Sequence, residues 1–328
     1  MKINVKKVCL YGGIALLLIL LILGSLCDLQ ISKAIADLKE GQYQSSNIFG
    51  RIFETIGEMP LYLTVGFACS VIYANLNKRK QKKYFIVVKI ICVLLTLFVF
   101  YFMYYRLFKY LSIHFDFEDR LGKVTDYLAY FLLGALSCGI LFFFSKKYPV
   151  YFLNKMLPLA FVMLSASLFS VIFSQGIKII SKRYRFCTLN AIQDFGLFSN
   201  WFNFNGKLPI TDQMLLMGVQ SDGAKSFPSG HVASGALVIC LTALPALFDE
   251  LNNKKYRIII NAVIWLYIVL LMVSRMVMGK HYLSDVLFGL LITIVCYVLS
   301  EKIIGKILKK HQIKPITILN PVIVEERI

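Results

Sequence analysis

Eight apolar runs, each near the length needed to cross a bilayer as a helix, recur along this chain and constrain its fold more than any other feature. They span Val8 to Leu26, Leu61 to Leu76, Tyr84 to Tyr105, Tyr127 to Phe144, Leu157 to Ile180, Ser229 to Phe248, Ile258 to Val277 and Tyr282 to Ile303. With 58% hydrophobic and only 16% charged residues among 328, a water-soluble core is excluded. The expectation is an all-α, polytopic membrane helix bundle forming one integral membrane domain over residues 1–328. A basic start followed by an apolar core also describes a signal peptide, but no small-x-small cleavage site follows, so an uncleaved first span is expected.

Charge orients the bundle. Lys and Arg concentrate in "MKINVKK", "NKRKQKK" (Asn77 to Lys83), "KKYP" (Lys146 to Pro149), "NNKKYR" (Asn252 to Arg257) and "KILKKHQIK", which makes every second connection basic. By the positive-inside rule these face the cytoplasm, with both termini, and residues 304–328 form a short cytoplasmic tail. The acid-containing loops "CDLQISKAIADLKE" and "HFDFEDRLGK" then face outward. This pattern and the Lys, Ile and Asn usage fit a bacterial plasma membrane. The same bias accounts for most of the net charge of +18, and no basic stripe with interleaved aromatics points to nucleic acid. The eight Cys form no CxxC pair and read as small hydrophobes, and nothing beyond shared sidedness supports a Cys27–Cys187 disulfide. No metal-ligand spacing occurs, so no metal and no cofactor are expected.

Outside the spans, "LQISKAIADLKEG" places Ile31, Ile35 and Leu38 at helical spacing and reads as an amphipathic helix on the outer surface. The loop from Ser181 to Pro228 carries Phe195, Phe198, Trp201, Phe202 and Phe204, which suit interfacial anchors or, more sharply, the rim of a lipid-binding cleft.

Topology gathers three polar groups at the outer face. Lys178 and Arg185 end the fifth span in "GIKIISKRYRF", Ser229, Gly230 and His231 open the sixth in "KSFPSGHVASG", and Arg275, His281 and Asp285 bridge the seventh and eighth in "SRMVMGKHYLSD". Arg offers a fork of donors that matches phosphate oxygens, and Lys a point charge. Amides freed at a helix start, with Gly230 and the Ser229 hydroxyl, suit an anion. His281 and Asp285 stand four apart on one expected helix, so the carboxylate can fix one imidazole nitrogen and leave the other to attack phosphorus. His231 can then protonate the leaving oxygen, which gives a bell-shaped pH profile: His281 neutral, His231 protonated. Singly, each has an ordinary reading: Arg275 and Lys280 as snorkelling anchors, His281 and Asp285 as a structural pair, His231 as a capping residue. Lys182, Arg183 and Lys225 read as added positive potential, and His114 and His311 as loop residues without partners.

The arrangement resembles the signature of the type 2 phosphatidic acid phosphatase family, related to bacterial acid phosphatases and vanadium haloperoxidases. Its pattern, Lys-x6-Arg-Pro, Pro-Ser-Gly-His and Ser-Arg-x5-His-x3-Asp, is met by Lys178 and Arg185, by Pro228 to His231, and by Ser274, Arg275, His281 and Asp285. Phe186 stands where the first motif has Pro, with Lys182 and Arg183 as nearby substitutes. The resemblance covers a motif-bearing part of about 157–303 and implies a six-helix core, so two spans are additional. It implies a phosphohistidine on His281, oriented by Asp285, with His231 as general acid and Lys178, Arg185, Ser229, Gly230 and Arg275 holding phosphate without a metal. The expected activity is hydrolysis of a membrane lipid phosphate or diphosphate at the outer face. Phosphatidate, phosphatidylglycerophosphate, lipid A phosphates and prenyl diphosphates such as undecaprenyl diphosphate are not ranked by these residues. A phosphoryl or head-group transferase using the same histidine, a soluble sugar phosphate as substrate, and a non-catalytic lipid-binding or transport protein are the alternatives.

Overall fold

The computed structural model describes residues 5–79, 82–115, 123–203 and 208–310. Helices α1 (Val5–Ile35), α2 (Ile48–Ile56), α3 (Met59–Asn77), α4 (Lys83–Phe115), α5 (Lys123–Ser145) and α6 (Val150–Ser181) form the first part. Short helices α7 (Phe186–Ile192) and α8 (Asp212–Leu216) lie in the long connection, followed by α9 (Gly230–Gly235), α10 (Leu244–Leu247), α11 (Lys254–Val277) and α12 (Leu283–Lys310). Among the described residues, eight helical stretches are long and apolar enough to cross a membrane. Leu16, Ile22, Leu94, Phe98, Leu132 and Ile179 stay exposed on their outer faces, as side chains meeting lipid do.

The centre of the bundle is α6, packed between α3 and α12, while α1 lies against α12. Ala68, Ala74, Ala160 and Ala166 are fully buried there, because small side chains let membrane helices approach closely enough for dispersion contacts to hold them. The site end of α12 shows this most sharply. A Cβ at Gly289 would come within 2.6 Å of the Ser229 carbonyl oxygen, so Gly289 sets how near α12 comes to the Pro-Ser-Gly-His turn. Gly289→Ala should therefore cost about 1–3 kcal/mol through overpacking, read as a lowered Tm in detergent with reduced activity.

Several expectations are corrected. The second span is two helices joined at Gly57, extending outward to Ile48 and carrying Glu54 and Glu58 with it. The sixth span is not one α-helix: Ala236–Ala243 is 3-10 helix between α9 and α10. At about 2.0 Å rise per residue against 1.5 Å, those eight residues add about 4 Å and let an 18-residue segment reach roughly 30 Å. No surface helix forms over Leu29 to Gly41, since α1 continues to Ile35 and the chain then turns under the bundle end, where the Asp37 amide donates to the Val277 carbonyl at 2.9 Å.

Two of the aromatic loop residues, Phe198 and Trp201, pack inward. Trp201 donates to Ser25 Oγ at 2.8 Å and lies against Phe227 and Phe288, while Phe198 packs edge-on against Tyr282. Phe202 is half exposed, and Phe204 lies outside the described residues. The expected tail begins as helix, because α12 runs to Lys310. His311, the rest of the tail, most of "HFDFEDRLGK" and parts of "MKINVKK" and "NKRKQKK" also lie outside them. Cys27 and Cys187 are both free thiols.

Candidate phosphate site

The site forms where α6 ends and α9 and α12 begin, at the end of the bundle opposite the basic connections. Ser229 caps α9, its Oγ accepting from the Val232 amide at 3.5 Å, and its own amide donates to the Asp285 carbonyl at 3.0 Å. That bond ties the turn to α12. The amides of Gly230 and His231, first in their helix, have no partner within it. A Cβ on Gly230 would meet Lys178 Nζ at 3.2 Å, so the glycine keeps open the space into which the ammonium projects.

His281 is placed differently from the expectation. It does not share a helix with Asp285, for α12 starts at Leu283, and His281 sits in the turn after Gly279, whose φ of +63° suits only glycine at low cost. Its Nδ1 donates to the Ser226 carbonyl at 2.7 Å, while Asp285 Oδ2 stands 3.7 Å away. The backbone carbonyl thus fixes the imidazole. Asp285 holds the turn instead, Oδ2 accepting from Ser226 Oγ at 2.5 Å and the Tyr282 amide at 2.9 Å, and Oδ1 from Arg183 Nη1 at 2.7 Å. Burial takes the imidazole down to about 3, outweighing the pull of Asp285 the other way. His281 is therefore neutral near pH 7, with Nε2 as its free nucleophilic position.

A cavity of about 250 Å³ is lined by Lys178, Arg185, Gly230, His231, Arg275 and His281, together with Glu54, Glu58, Arg106, Tyr110 and Asp222. Arg275 is 1% exposed, so it is no snorkelling anchor, and the buried Lys280 lies over the Tyr43 ring. Arg275 Nη2 donates to Glu54 Oε1 at 2.9 Å, yet its Nε and Nη1 are buried with no partner. Two unsatisfied guanidinium donors beside a neutral imidazole call for an anionic acceptor. Arg185 gives both terminal nitrogens to Asp222, at 2.9 and 2.7 Å, leaving Nε unpartnered. Burial by itself would raise the Asp222 carboxyl, but Arg185 outweighs it and holds it below the usual carboxylate range.

Ser229 thus caps the turn, and Lys178, Arg185, Gly230, His231, Arg275 and His281 line one cavity, with Asp285 behind it. The substitutes weighed for the first motif do not join them. Arg183 is 1% exposed and bridges Asp285 to Asp28 of α1, with Nη2 to Asp28 Oδ2 at 2.9 Å. Lys182 lies at the left-handed end of α6 and lines a separate hollow, whereas Lys225 lines both that hollow and the site cavity. Phe186 occupies the first residue of α7, a position where proline's missing N–H costs nothing, so the departure leaves the Arg185 backbone in place. His114 is the clearest miss: it is buried on α4 with Nε2 2.8 Å from Glu54 Oε2. Acids four apart in "ETIGE" at the mouth of an apolar run, facing Arg106 and His114 at the end of the next, were the available signal. Among the described residues no cluster of His, Cys, Asp or Glu is arranged to hold a metal ion.

Residues 155–308 match the family model described as the PAP2 superfamily, and this stretch is a PAP2-superfamily domain. No curated protein and no solved structure matches the chain. The matched stretch runs from α6 to α12 and includes every site residue drawn from the three motifs, whereas Glu54, Glu58, Arg106 and His114 lie outside it. Such a domain supports phosphatase-type function in an integral membrane protein.

Proposed function

We propose that the protein is a metal-independent phosphatase that removes phosphate from a membrane lipid, either a phosphomonoester or a diphosphate, at the outer face of the bilayer. The observation that carries this reading is the pairing, in one cavity, of a neutral imidazole held at Nδ1 with the two buried, unpartnered donors of Arg275. Phosphate oxygens accept from Arg275 Nε and Nη1, from Lys178 and from the first amides of α9. His281 Nε2 attacks phosphorus, the bond to the leaving oxygen breaks with its electron pair, and His231 supplies that oxygen's proton. Water then attacks the phosphohistidine, giving up a proton to His231, the P–Nε2 bond breaks with its electron pair returning to the His281 imidazole, and inorganic phosphate leaves. A lipid substrate is supported by Ile179 and Ile180, 70% and 62% exposed beside Lys178, and by Leu216 of α8 at 89%. The outward face follows from the basic connections at the other end.

Purified protein should release inorganic phosphate from at least one member of a panel of phosphatidate, phosphatidylglycerophosphate, lipid A and prenyl diphosphate, and excess EDTA should leave the rate unchanged. Loss of activity on chelation would contradict the metal-free route. The pH profile is also constrained. A histidine whose proton affinity is lowered stays neutral until pH falls to that value, so the His281 limb of kcat/KM lies near pH 3. Between pH 7 and 5, after correction for the substrate's own ionisation near about pH 6, kcat/KM should not fall on the acid side. An acid limb in the ordinary imidazole range would count against a neutral, buried nucleophile.

A further inference from the structure

His231, the source of the proton in the proposed cleavage, is held from outside the family-matched stretch. Its Nδ1 lies 3.4 Å from Glu58 Oε1, its Nε2 lies 3.3 Å from the Glu54 carbonyl oxygen, and the Tyr110 ring meets it edge-on at 5.7 Å. Glu58 is itself fixed. Arg106 Nε and Nη2 each donate to one of its oxygens at 2.8 Å, a fork that leaves the carboxylate little freedom to turn away. Arg106 in turn lies over Tyr110, with its guanidinium 5.0 Å from the ring. The start of α3 and the end of α4 thus present the imidazole with a carboxylate on one nitrogen and an aromatic edge, which is how an orienting residue is built.

We propose that Glu58, clamped by Arg106, is a positioning residue for leaving-group protonation. By facing His231 Nδ1 it sets the ring so that Nε2–H, engaged only at 3.3 Å, is the proton delivered to the departing oxygen. The second and third spans, which lie outside the family-matched stretch, then complete the acid half of the reaction. This inference rests on His231 acting as general acid. A merely structural Glu58–Arg106 pair would slow every substrate alike, whereas a positioning role falls on substrates whose leaving oxygen needs a proton.

Two probes separate these. p-Nitrophenyl phosphate expels a stabilised phenolate without a proton, and octyl phosphate expels an alkoxide that requires one. Glu58→Gln should lower kcat on octyl phosphate by about 10- to 100-fold, a part of the 10²–10⁴ that general acid catalysis supplies, and on p-nitrophenyl phosphate by less than about threefold. The aryl ester serves as the folding control. Arg106→Gln, which leaves the carboxylate present but unanchored, should show the same selectivity at smaller size. Equal losses on both esters in Glu58→Gln, or none, while His231→Gln loses only the alkyl ester, would overturn the inference and leave the general-acid reading standing. Equal losses in His231→Gln would overturn that reading, and the inference with it.

Discussion

Replacing His281 by Ala should lower phosphate release by about 10⁴-fold or more, the scale seen when a nucleophile that works as part of a unit is removed. The expectation follows from geometry more than from the motif. Nδ1 is committed to the Ser226 carbonyl at 2.7 Å, so the ring cannot swing to let another atom attack, and among the described residues no serine, threonine or cysteine lines the cavity. Folding should be little affected, because the polar contacts of Asp285 run to Ser226, Tyr282 and Arg183 and survive the change. Measured on purified protein, near-normal Tm with lost turnover is the expected pair of results. Residual activity within about tenfold of wild type would mean that another group attacks phosphorus.

Arg183→Ala should be the most damaging change to stability. The guanidinium is 1% exposed and joins Asp285, Asp28 and the Ser199 carbonyl, so its loss strands two buried carboxylates about one vacated site. Breaking a buried ion pair by removing one partner costs about 3–5 kcal/mol, a large share of the stability of an ordinary domain. Arg183→Lys should recover little, because an ammonium with three hydrogens on one nitrogen cannot reproduce the four directed bonds to Ser199, Ser284, Asp285 and Asp28. Thermal unfolding in detergent, read beside activity, decides the matter: unfolding with proportional loss of activity fits a structural clamp. A variant of unchanged Tm that has lost only phosphate binding would make Arg183 a substrate ligand, the role weighed for it from sequence.

The eight spans were legible because a bilayer imposes an apolar length that few other pressures mimic, and the motif residues because phosphate demands Arg, Lys and His together. What escaped was of three physical kinds. Backbone groups carry no sequence signal, so residue spacing points to Asp285, at 3.7 Å, for the part that the Ser226 carbonyl plays. Distant pairing was equally hidden, since Asp28 meets Arg183 across 155 positions and nothing local marks either as buried. Charged residues at span ends look like interfacial anchors whatever they touch. Hence nothing local in the sequence marks Glu54, Glu58 and Arg106 as partners, and the His114 of an expected loop is buried against Glu54. Local geometry also departed from pattern. Counting four residues from His281 to Asp285 assumes a helix that begins two residues too late.

The proposed reaction passes through a covalent bond between phosphorus and His281 Nε2. Rapid quenching of wild-type protein during turnover of a ³²P-labelled substrate, followed by alkaline peptide mapping, tests it directly. The expected result is acid-labile, alkali-stable label on the peptide containing His281, absent in His281→Ala. Turnover in the wild type with label on any other residue, or with the label at His281 forming and decaying more slowly than phosphate is released, would contradict it.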